Sequence, residues 1–225
     1  MTVTKMSKYK LIIFDLDGTL ADTSPGILNS IRYVQKMMNL PEITLEQMYS
    51  HVGPPMEESY NRNFGLTGEK LKQAVSYHKE YAIKQGYKEI KLYKGIPVLL
   101  TELKKYGCKT AIATLKAHTT AMRIFESLNL SDKFDIIKGV DIHSPMTKAQ
   151  ILEYCLDKTN TPKEKAILIG DSAYDAIGAQ EVGIDFLGIT YGFGFKTKGD
   201  VDKYNNIGTC NSVKEILDFM ITAAI

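Results

Sequence analysis

Short apolar runs alternate with segments of helical periodicity along most of the chain. Residues 11–14, LIIF, form a continuous apolar run, and KTAIAT, FDIIKG, AILIG and FLGIT are further runs of this kind. Between these runs the apolar residues recur at three- and four-residue spacing, as in amphipathic helices. Short buried strands that alternate with helices form parallel sheets covered on both faces. The pattern therefore predicts an α/β fold with a parallel sheet between two layers of helices.

The alternation stops between residues 23 and 90. Ser24 followed by Pro25 is typical of a helix start, with a capping side chain before a proline in the first turn. The apolar positions that follow have helical spacing, and no strand pattern is evident in this region. We therefore predict a core domain, residues 1–22 and 91–225, interrupted by an inserted helical cap domain whose two connections permit hinge motion.

Composition narrows the functional classes. The chain has 225 residues and a net charge near +2, without the Lys/Arg run that a nucleic-acid partner would require. Its three cysteines include no CxxC pair, which is typical of a reducing compartment. No apolar stretch has the length of a signal peptide or a membrane span. We expect a soluble cytoplasmic protein with neither a nucleic-acid nor a membrane partner; the oligomeric state is undefined, and a monomer is compatible with the sequence.

Polar residues that carry chemistry follow the apolar runs at their carboxyl ends. In a parallel sheet these ends meet in one crevice, which is where ligands bind. The residues are Asp15 and Asp17 after the first run, Thr114 after the second, Asp171 and Asp175 after AILIG, and Lys148 in the first turn of a predicted helix. We therefore expect a cluster of carboxylates, a hydroxyl and an ammonium group at one edge of the sheet.

This set of groups suits phosphoryl transfer. Carboxylate oxygens are the preferred ligands of Mg²⁺, whose charge would hold neighbouring acids ionised. Lys148, the Thr114 hydroxyl and the backbone amides of the turn at residues 16–18 supply charge and hydrogen bonds for a phosphate. One acid would attack phosphorus and a second would carry a proton.

Each of these features also has an ordinary structural interpretation. Asp-Gly after a strand is a common turn, a threonine at a strand end often caps a helix, and a lysine at a helix start is usually solvated. Residues 170–175, GDSAYD, fit a strand, a turn and a helix cap. The four histidines, at 51, 78, 118 and 143, lack metal-ligand spacing and are expected to be solvated or capping. It is the ordered combination of the polar residues that favours a functional site.

In that order the residues resemble a known family. DLDGTL at 15–20, AT at 113–114, Lys148 and GDSAYDAIGA at 170–179 match the four motifs of the haloacid dehalogenase-like hydrolases. Specifically, the chain resembles the phosphoglycolate phosphatase-like branch, which has a small helical cap, and the resemblance covers essentially the whole chain. It implies a Rossmann-like core sheet.

The resemblance also implies roles for individual residues. Asp15 would be the nucleophile that forms an aspartyl-phosphate, and Asp17 the acid/base, which dehalogenases of the family lack. The implied Mg²⁺ ligands are Asp15, the backbone carbonyl of Asp17, and Asp171, with Asp175 supporting a metal-bound water or Lys148. The implied phosphate- and substrate-binding residues are Leu16, Gly18, Arg62, Thr114, Leu115 and Lys148. Leu115 departs from the asparagine or serine common in the family, which removes a polar contact.

These inferences lead to one function and several alternatives. We expect a Mg²⁺-dependent phosphatase that hydrolyses a small phosphorylated metabolite, such as a phosphoglycolate-like monoester, through an aspartyl-phosphate. A 5′-nucleotidase, a pyrophosphatase, a phosphosugar mutase similar to β-phosphoglucomutase, and a non-catalytic binding module are the alternatives. Substrate selection is expected from the Gly53-Pro54-Pro55 turn and Arg62 of the cap, with the YGFGF loop at 191–195 as a further candidate.

Overall fold

The strands of the predicted sheet are present. The computed structural model describes residues 8–141 and 146–222. Its strands are β1 Leu11–Phe14, β2 Ala21–Asp22, β3 Lys91–Leu92, β4 Lys109–Ala117, β5 Ile136–Val140, β6 Ala166–Gly170, β7 Asp185–Ile189 and β8 Thr209–Cys210. Six of them form one sheet in the order β5-β4-β1-β6-β7-β8, with all neighbouring pairs parallel.

Helices cover both faces of this sheet. They are α1 Ser24–Met38, α2 Leu45–Tyr49, α3 Met56–Phe64, α4 Gly68–Lys84, α5 Ile96–Lys105, α6 His118–Ser127, α7 Lys148–Thr159, α8 Ala173–Val182, α9 Lys198–Val201 and α10 Val213–Thr222. Helices α5, α6 and α10 pack in the core on one face, and α7 and α8 pack in the core on the other. The Rossmann-like α/β fold is therefore confirmed. No helix within the described ranges is both long and apolar enough to cross a membrane.

The central strand β1 shows why the sheet is buried on both sides. Its residues alternate between the faces, so that Ile12 and Phe14 enter one core cluster while Leu11 and Ile13 enter the other. All four side chains are fully buried. Each stabilises the fold by about 1.5–3 kcal/mol relative to an exposed side chain. A continuous apolar run is thus the sequence of a strand with no solvent face.

Helices α1 to α4 occupy the segment where the strand pattern stops. The segment is connected to the sheet through β2 and β3, which pair antiparallel with Ala21 opposite Leu92. Its interior is divided into two apolar clusters, which include Ile31 and Val34 of α1. We call residues 23–90 the helical insert.

The start of the insert differs from the prediction in one detail. The residue before α1 is Thr23, not Ser24, and Thr23 makes no capping hydrogen bond with its side chain. Ser24 lies in the first turn, where its amide and hydroxyl both donate to Asp22 Oδ1. The hydroxyl of Thr23 is directed instead at Asp17. Thr23 therefore does not cap α1 with its side chain, because its hydroxyl donates to Asp17 in the polar crevice.

The histidines of the insert also differ from expectation. The prediction of solvated or capping side chains is wrong for His51 and His78, which are both buried. The Tyr60 hydroxyl lies 2.9 Å from His78 Nδ1, and the His51 ring packs edge-on against Tyr60. Neither ring nitrogen of His51 has a hydrogen-bond partner. His143 lies outside the described residues.

Candidate active site

The parallel register brings the ends of three strands to one place. Phe14, the last residue of β1, pairs with Ile112 of β4 on one side and Ile169 of β6 on the other. The amide of Asp15 continues this ladder by donating to the carbonyl oxygen of Ile169, at 3.0 Å. The residues that follow β1 and β6 therefore lie beside the last part of β4, which continues past the strand end predicted at Thr114 as far as Ala117.

Lys148 connects three parts of this crevice. Its ammonium group donates to Asp15 Oδ1 at 2.7 Å and to the carbonyl oxygen of Ala113 at 2.6 Å. It also lies 2.6 Å from Asp175 Oδ1. Burial alone would lower the pKa of Lys148, but the charges of Asp15 and Asp175 raise it above its usual value, so the side chain stays protonated.

Asp175 is held on its other side by the beginning of α8. Its Oδ2 accepts hydrogen bonds from the amide of Ser172, at 3.1 Å, and from the Ser172 hydroxyl, at 2.6 Å. An acid at the N-terminus of a helix is also favoured by the helix dipole. Asp175 is thus held between Ser172 and Lys148.

Asp171 lies against the YGFGF loop. Its Oδ2 accepts hydrogen bonds from the amides of Phe193, at 2.6 Å, and Gly194, at 3.0 Å. A side chain at Gly18 or at Gly192 would collide with the same carboxylate, and Gly18 has a φ of +79° that favours glycine. The loop therefore positions an acid of the site, a role that the sequence did not indicate for it.

The carboxylates of Asp15, Asp171 and Asp175 form a cluster suited to a cation. One oxygen of each lies within 4.8 Å of the others, and all three residues are buried. Burial first, and then the neighbouring acids, raise the pKa of Asp15 to about 8 and that of Asp171 to about 7. Three buried carboxylates this close together are the donor set that a divalent cation binds, and its charge would favour their ionised form, so the site fits one.

Asp17 lies at the same sheet edge, but its carboxylate belongs to a separate arrangement. It forms an ion pair with Lys116 Nζ at 3.0 Å and accepts a hydrogen bond from the Thr23 hydroxyl. The carboxylate is therefore directed at the helical insert rather than at the cluster of three acids. Sequence reasoning missed both partners. The signal for Lys116 was its position two residues beyond Thr114, in the last part of β4; Thr23 carried no comparable signal.

The remaining predicted phosphate-binding residues contribute in different ways. Thr114 and Leu115 both line the cavity above the acids, and the Thr114 hydroxyl accepts a hydrogen bond from the amide of Lys116. Leu16 is fully buried and is not among the residues that line this cavity, and its carbonyl oxygen accepts hydrogen bonds from amides inside the turn. The amide of Gly18 donates to the carbonyl oxygen of Ala21 at 3.0 Å. That amide is therefore used inside the turn, and the phosphate contact expected of it is not available in this conformation.

The helical insert forms the roof of this cavity, which has a volume of about 350 Å³. Roof residues include Tyr49, Ser50, Gly53, Pro54 and Arg62; Pro55, the third residue of the predicted turn, is not among those that line this cavity. Arg62 Nη2 donates to the carbonyl oxygen of Ser50 at 2.7 Å. The cavity is thus enclosed between the acids of the sheet edge and the insert, with dimensions suited to a small ligand.

A family model matches most of the sheet and the whole insert. The family is described as haloacid dehalogenase-like hydrolase, and the match extends over residues 12–189. It therefore includes every residue that we have placed around the acids except those of the loop beyond position 189.

Relatives with different described activities are similar over most of the chain. The tyrosine-protein kinase PtkA of Mycobacterium tuberculosis is 33% identical over 92% of this chain and 72% of its own. A 5′-nucleotidase of Pseudomonas aeruginosa is 30% identical over 83% of this chain and 85% of its own. A phosphoglycolate phosphatase of Vibrio cholerae is 27% identical over 84% of this chain and 87% of its own.

A solved structure supports the same relationship. The crystal structure of a predicted phosphatase from Clostridium acetobutylicum matches with a TM-score of 0.86 at 33% identity. The match covers 95% of this chain and 99% of that one, so both the sheet and the helical insert have counterparts there.

Proposed function

The chain belongs to the haloacid dehalogenase-like hydrolases, and from that premise we propose that it is a Mg²⁺-dependent phosphatase of small phosphorylated metabolites. The observation that carries the proposal is the pair of acids at the end of β1 with two separate environments. Asp15 lies in the carboxylate cluster beside Lys148, whereas Asp17 contacts Lys116 and Thr23 below the insert. Two acids with different surroundings are suited to different tasks in one reaction.

The first half of the reaction uses Asp15 as the nucleophile. Its carboxylate oxygen would attack phosphorus while the bond from phosphorus to the leaving oxygen breaks. Asp17, when protonated, would donate its proton to that leaving oxygen. Lys116 and the Thr23 hydroxyl hold the Asp17 carboxylate at the boundary between the acids and the insert, where the leaving group must lie.

The second half returns Asp15 to its initial state. Asp17, now ionised, would take a proton from a water molecule as that water attacks the aspartyl-phosphate, which releases inorganic phosphate. Lys148 initially donates to Asp15. Once Asp15 is phosphorylated, the charge of its carboxylate is lost, and Lys148 becomes available to the phosphoryl oxygens. Thr114 lines the cavity beside it and offers a hydroxyl donor.

Asp15 and Asp171 are the residues proposed to hold Mg²⁺, together with the backbone carbonyl of Asp17. The cation would neutralise charge on the transferred phosphoryl group, which is the main catalytic requirement of phosphoryl transfer. Asp175 belongs to the same cluster, but its contacts with Lys148 and Ser172 favour a positioning role. The helical insert is proposed to act as a cap that excludes water during the first half of the reaction.

Hydrolysis of acetyl phosphate and p-nitrophenyl phosphate tests this function. Protein freed of metal with a chelator should be inactive, and added Mg²⁺ should restore phosphate release. Acid quenching during turnover should trap phosphate on Asp15, located by peptide mass spectrometry. Asp171→Asn should weaken activation by Mg²⁺, so that more Mg²⁺ is needed for half-maximal activity. Asp157→Asn should leave this concentration unchanged, because Asp157 is an exposed acid of α7.

Two outcomes would contradict the proposal. One is the absence of Mg²⁺-dependent phosphate release from either ester. The other is transfer of phosphate from ATP to a tyrosine-containing peptide at a higher rate than hydrolysis, which would indicate the activity named for the relative PtkA.

A further inference from the structure

The three aromatic rings of the YGFGF loop pack against three different apolar clusters. Tyr191 packs against the core on one face of the sheet, and Phe195 is buried in the core on the other face. Phe193, between them, packs against the cluster of the helical insert that includes Ile27 and Ile31 of α1. The loop therefore contacts the core at both of its ends and the insert at its middle.

The two ends of the loop are held by residues of the core. The Tyr191 hydroxyl donates to the carbonyl oxygen of Thr19 at 2.8 Å, and its ring lies edge-on to Tyr93 with the ring centroids 4.9 Å apart. The amide of Phe195 donates to the carbonyl oxygen of Asp171 at 2.6 Å. None of these contacts involves the helical insert, so the insert is not needed to hold the ends of the loop.

The middle of the loop joins the insert to an acid of the site. The amide of Phe193 donates to Asp171 Oδ2 at 2.6 Å, while its ring packs against the insert. The ring is half-buried and lines the cavity, and a side chain at Gly18 would collide with it. One residue thus contacts a proposed Mg²⁺ ligand through its backbone and the insert through its side chain.

The hydrogen bond to Asp171 matters for a cation. An N–H donor directed at a carboxylate favours its ionised form, which is the form that binds metal, and it also orients the carboxylate. Gly192 and Gly194, on either side of Phe193, provide no side chain that could anchor this amide, and a side chain at either position would collide with Asp171. The ring of Phe193 is therefore the side-chain anchor of the amide.

We propose that Phe193 is a positioning residue that couples closure of the helical insert to the binding of Mg²⁺ by Asp171. This inference rests on the proposed function. When the insert covers the acids, the ring is packed and the amide is fixed at Asp171. When the insert moves away, the ring loses the surface that holds it. Coupling between two sites is reciprocal, so Mg²⁺ favours the closed insert as strongly as the closed insert favours Mg²⁺.

Calorimetric titration of the metal-free protein with Mg²⁺, in the absence of substrate, tests the first direction. Phe193→Ala should bind Mg²⁺ about tenfold more weakly than the parent, a size typical of coupling between two sites. Phe193→Leu, which keeps an apolar side chain for the insert, should restore most of the affinity. Phe219→Ala is the matched control and should bind Mg²⁺ as the parent does. Phe219 is a half-buried ring of α10 that packs against the core and does not line the cavity.

Hydrogen exchange measured by mass spectrometry tests the reciprocal direction. In the parent, saturating Mg²⁺ should slow exchange of the amides at roof residues 49–54, because it favours the closed insert. In Phe193→Ala, Mg²⁺ at a concentration that saturates this variant should give little protection of the same amides. Peptides of α10 are the internal reference, since this helix packs in the core.

The outcomes distinguish the inference from the function on which it rests. If the parent and Phe193→Ala bind Mg²⁺ equally well, the coupling is overturned and the phosphatase function stands. Weaker binding by Phe193→Ala, without Mg²⁺ protection of the roof in the parent, would overturn it too, because Phe193 would then support only the loop. If the parent neither binds Mg²⁺ nor hydrolyses an ester in its presence, the proposed function fails and the coupling fails with it.

Discussion

The floor and the roof of the cavity differ in burial and in how their charges are held. Asp15, Asp17, Lys148, Asp171 and Asp175 of the floor are at most 8% exposed, and each has a partner fixed by a strand end or a helix start. On the roof, the Arg62 side chain is 44% exposed and lies on α3, a nine-residue helix whose Glu58 accepts a hydrogen bond from the Tyr174 hydroxyl of α8. Charged groups on the floor are therefore much more strongly constrained.

This difference separates two tasks. Phosphoryl transfer requires charges that are in place before the reaction begins, and the parallel sheet provides them at adjoining strand ends. Recognition of the rest of the substrate tolerates exposed groups, such as Arg62 on the roof. Changes to the floor should therefore abolish the reaction on all esters, whereas changes to the roof should alter the preference among them.

The largest effect is expected from Asp15→Asn. It should reduce hydrolysis of every ester by about 10³-fold or more, because an amide is a poor nucleophile at the same position. Its thermal unfolding temperature, measured without metal, should be no lower than that of the parent, since Asp171 and Asp175 lose a like charge and Lys148 keeps Asp175. Activity within tenfold of the parent would exclude Asp15 as the nucleophile.

Lys148→Met tests whether the floor depends on its buried cation. Removing one partner of a buried ion pair leaves uncompensated charge, so we expect a loss of about 3 kcal/mol in the free energy of unfolding, measured with urea. Lys158→Met on the same helix is the control, because Lys158 is an exposed lysine. Equal stability of the two variants would show that Asp15 and Asp175 do not require Lys148.

His51→Phe examines a buried group of the insert. Burial first, and Arg62 second, lower the pKa of His51 from 6.5 to about 4. Between those pH values the unfolded chain binds a proton that the folded protein excludes, so His51 makes stability fall as pH falls. From pH 7 to pH 5 this loss amounts to about 2 kcal/mol in the parent.

The phenylalanine variant should lack that loss, so its unfolding free energy should increasingly exceed that of the parent as the pH is lowered. Paired urea titrations at pH 7 and pH 5 measure the difference. A constant difference between the two proteins would show that His51 has an ordinary pKa and that its ring nitrogens have access to water.

The smallest effect is expected from roof variants that leave the acids intact. Arg62→Met and Pro54→Ala should change the ratio of kcat/KM values among natural phosphate esters by about tenfold, because contacts far from phosphorus matter only to substrates that reach them. Acetyl phosphate, which offers the roof almost nothing, should change by less than about threefold. If kcat/KM falls equally for every ester, acetyl phosphate included, the floor and the roof do not have separate tasks.

Most of the sheet and its acids were predictable because their causes are local in sequence. The LIIF run is buried on both faces in any parallel sheet, and an acid that follows such a run lies at the ligand-binding edge. Strand order and helix connections then bring three residues close together, namely Asp15, Asp171 and Lys148. Short elements such as β2, β3, β8 and α2 were not predicted, because two to five residues carry no measurable periodicity.

The sequence by itself determined the α/β architecture, the interruption after the first strand and the set of acids at the strand ends. Only the tertiary structure decided which partner each polar group takes. Thr23 could have capped α1, but its hydroxyl donates to Asp17. An amide of the YGFGF loop donates a hydrogen bond to Asp171, and the ring of His51 is buried without a hydrogen-bond partner. The physical reason is that periodicity and turn residues act over a few positions, whereas a hydrogen-bond partner is selected by distance and burial among groups far apart in the chain.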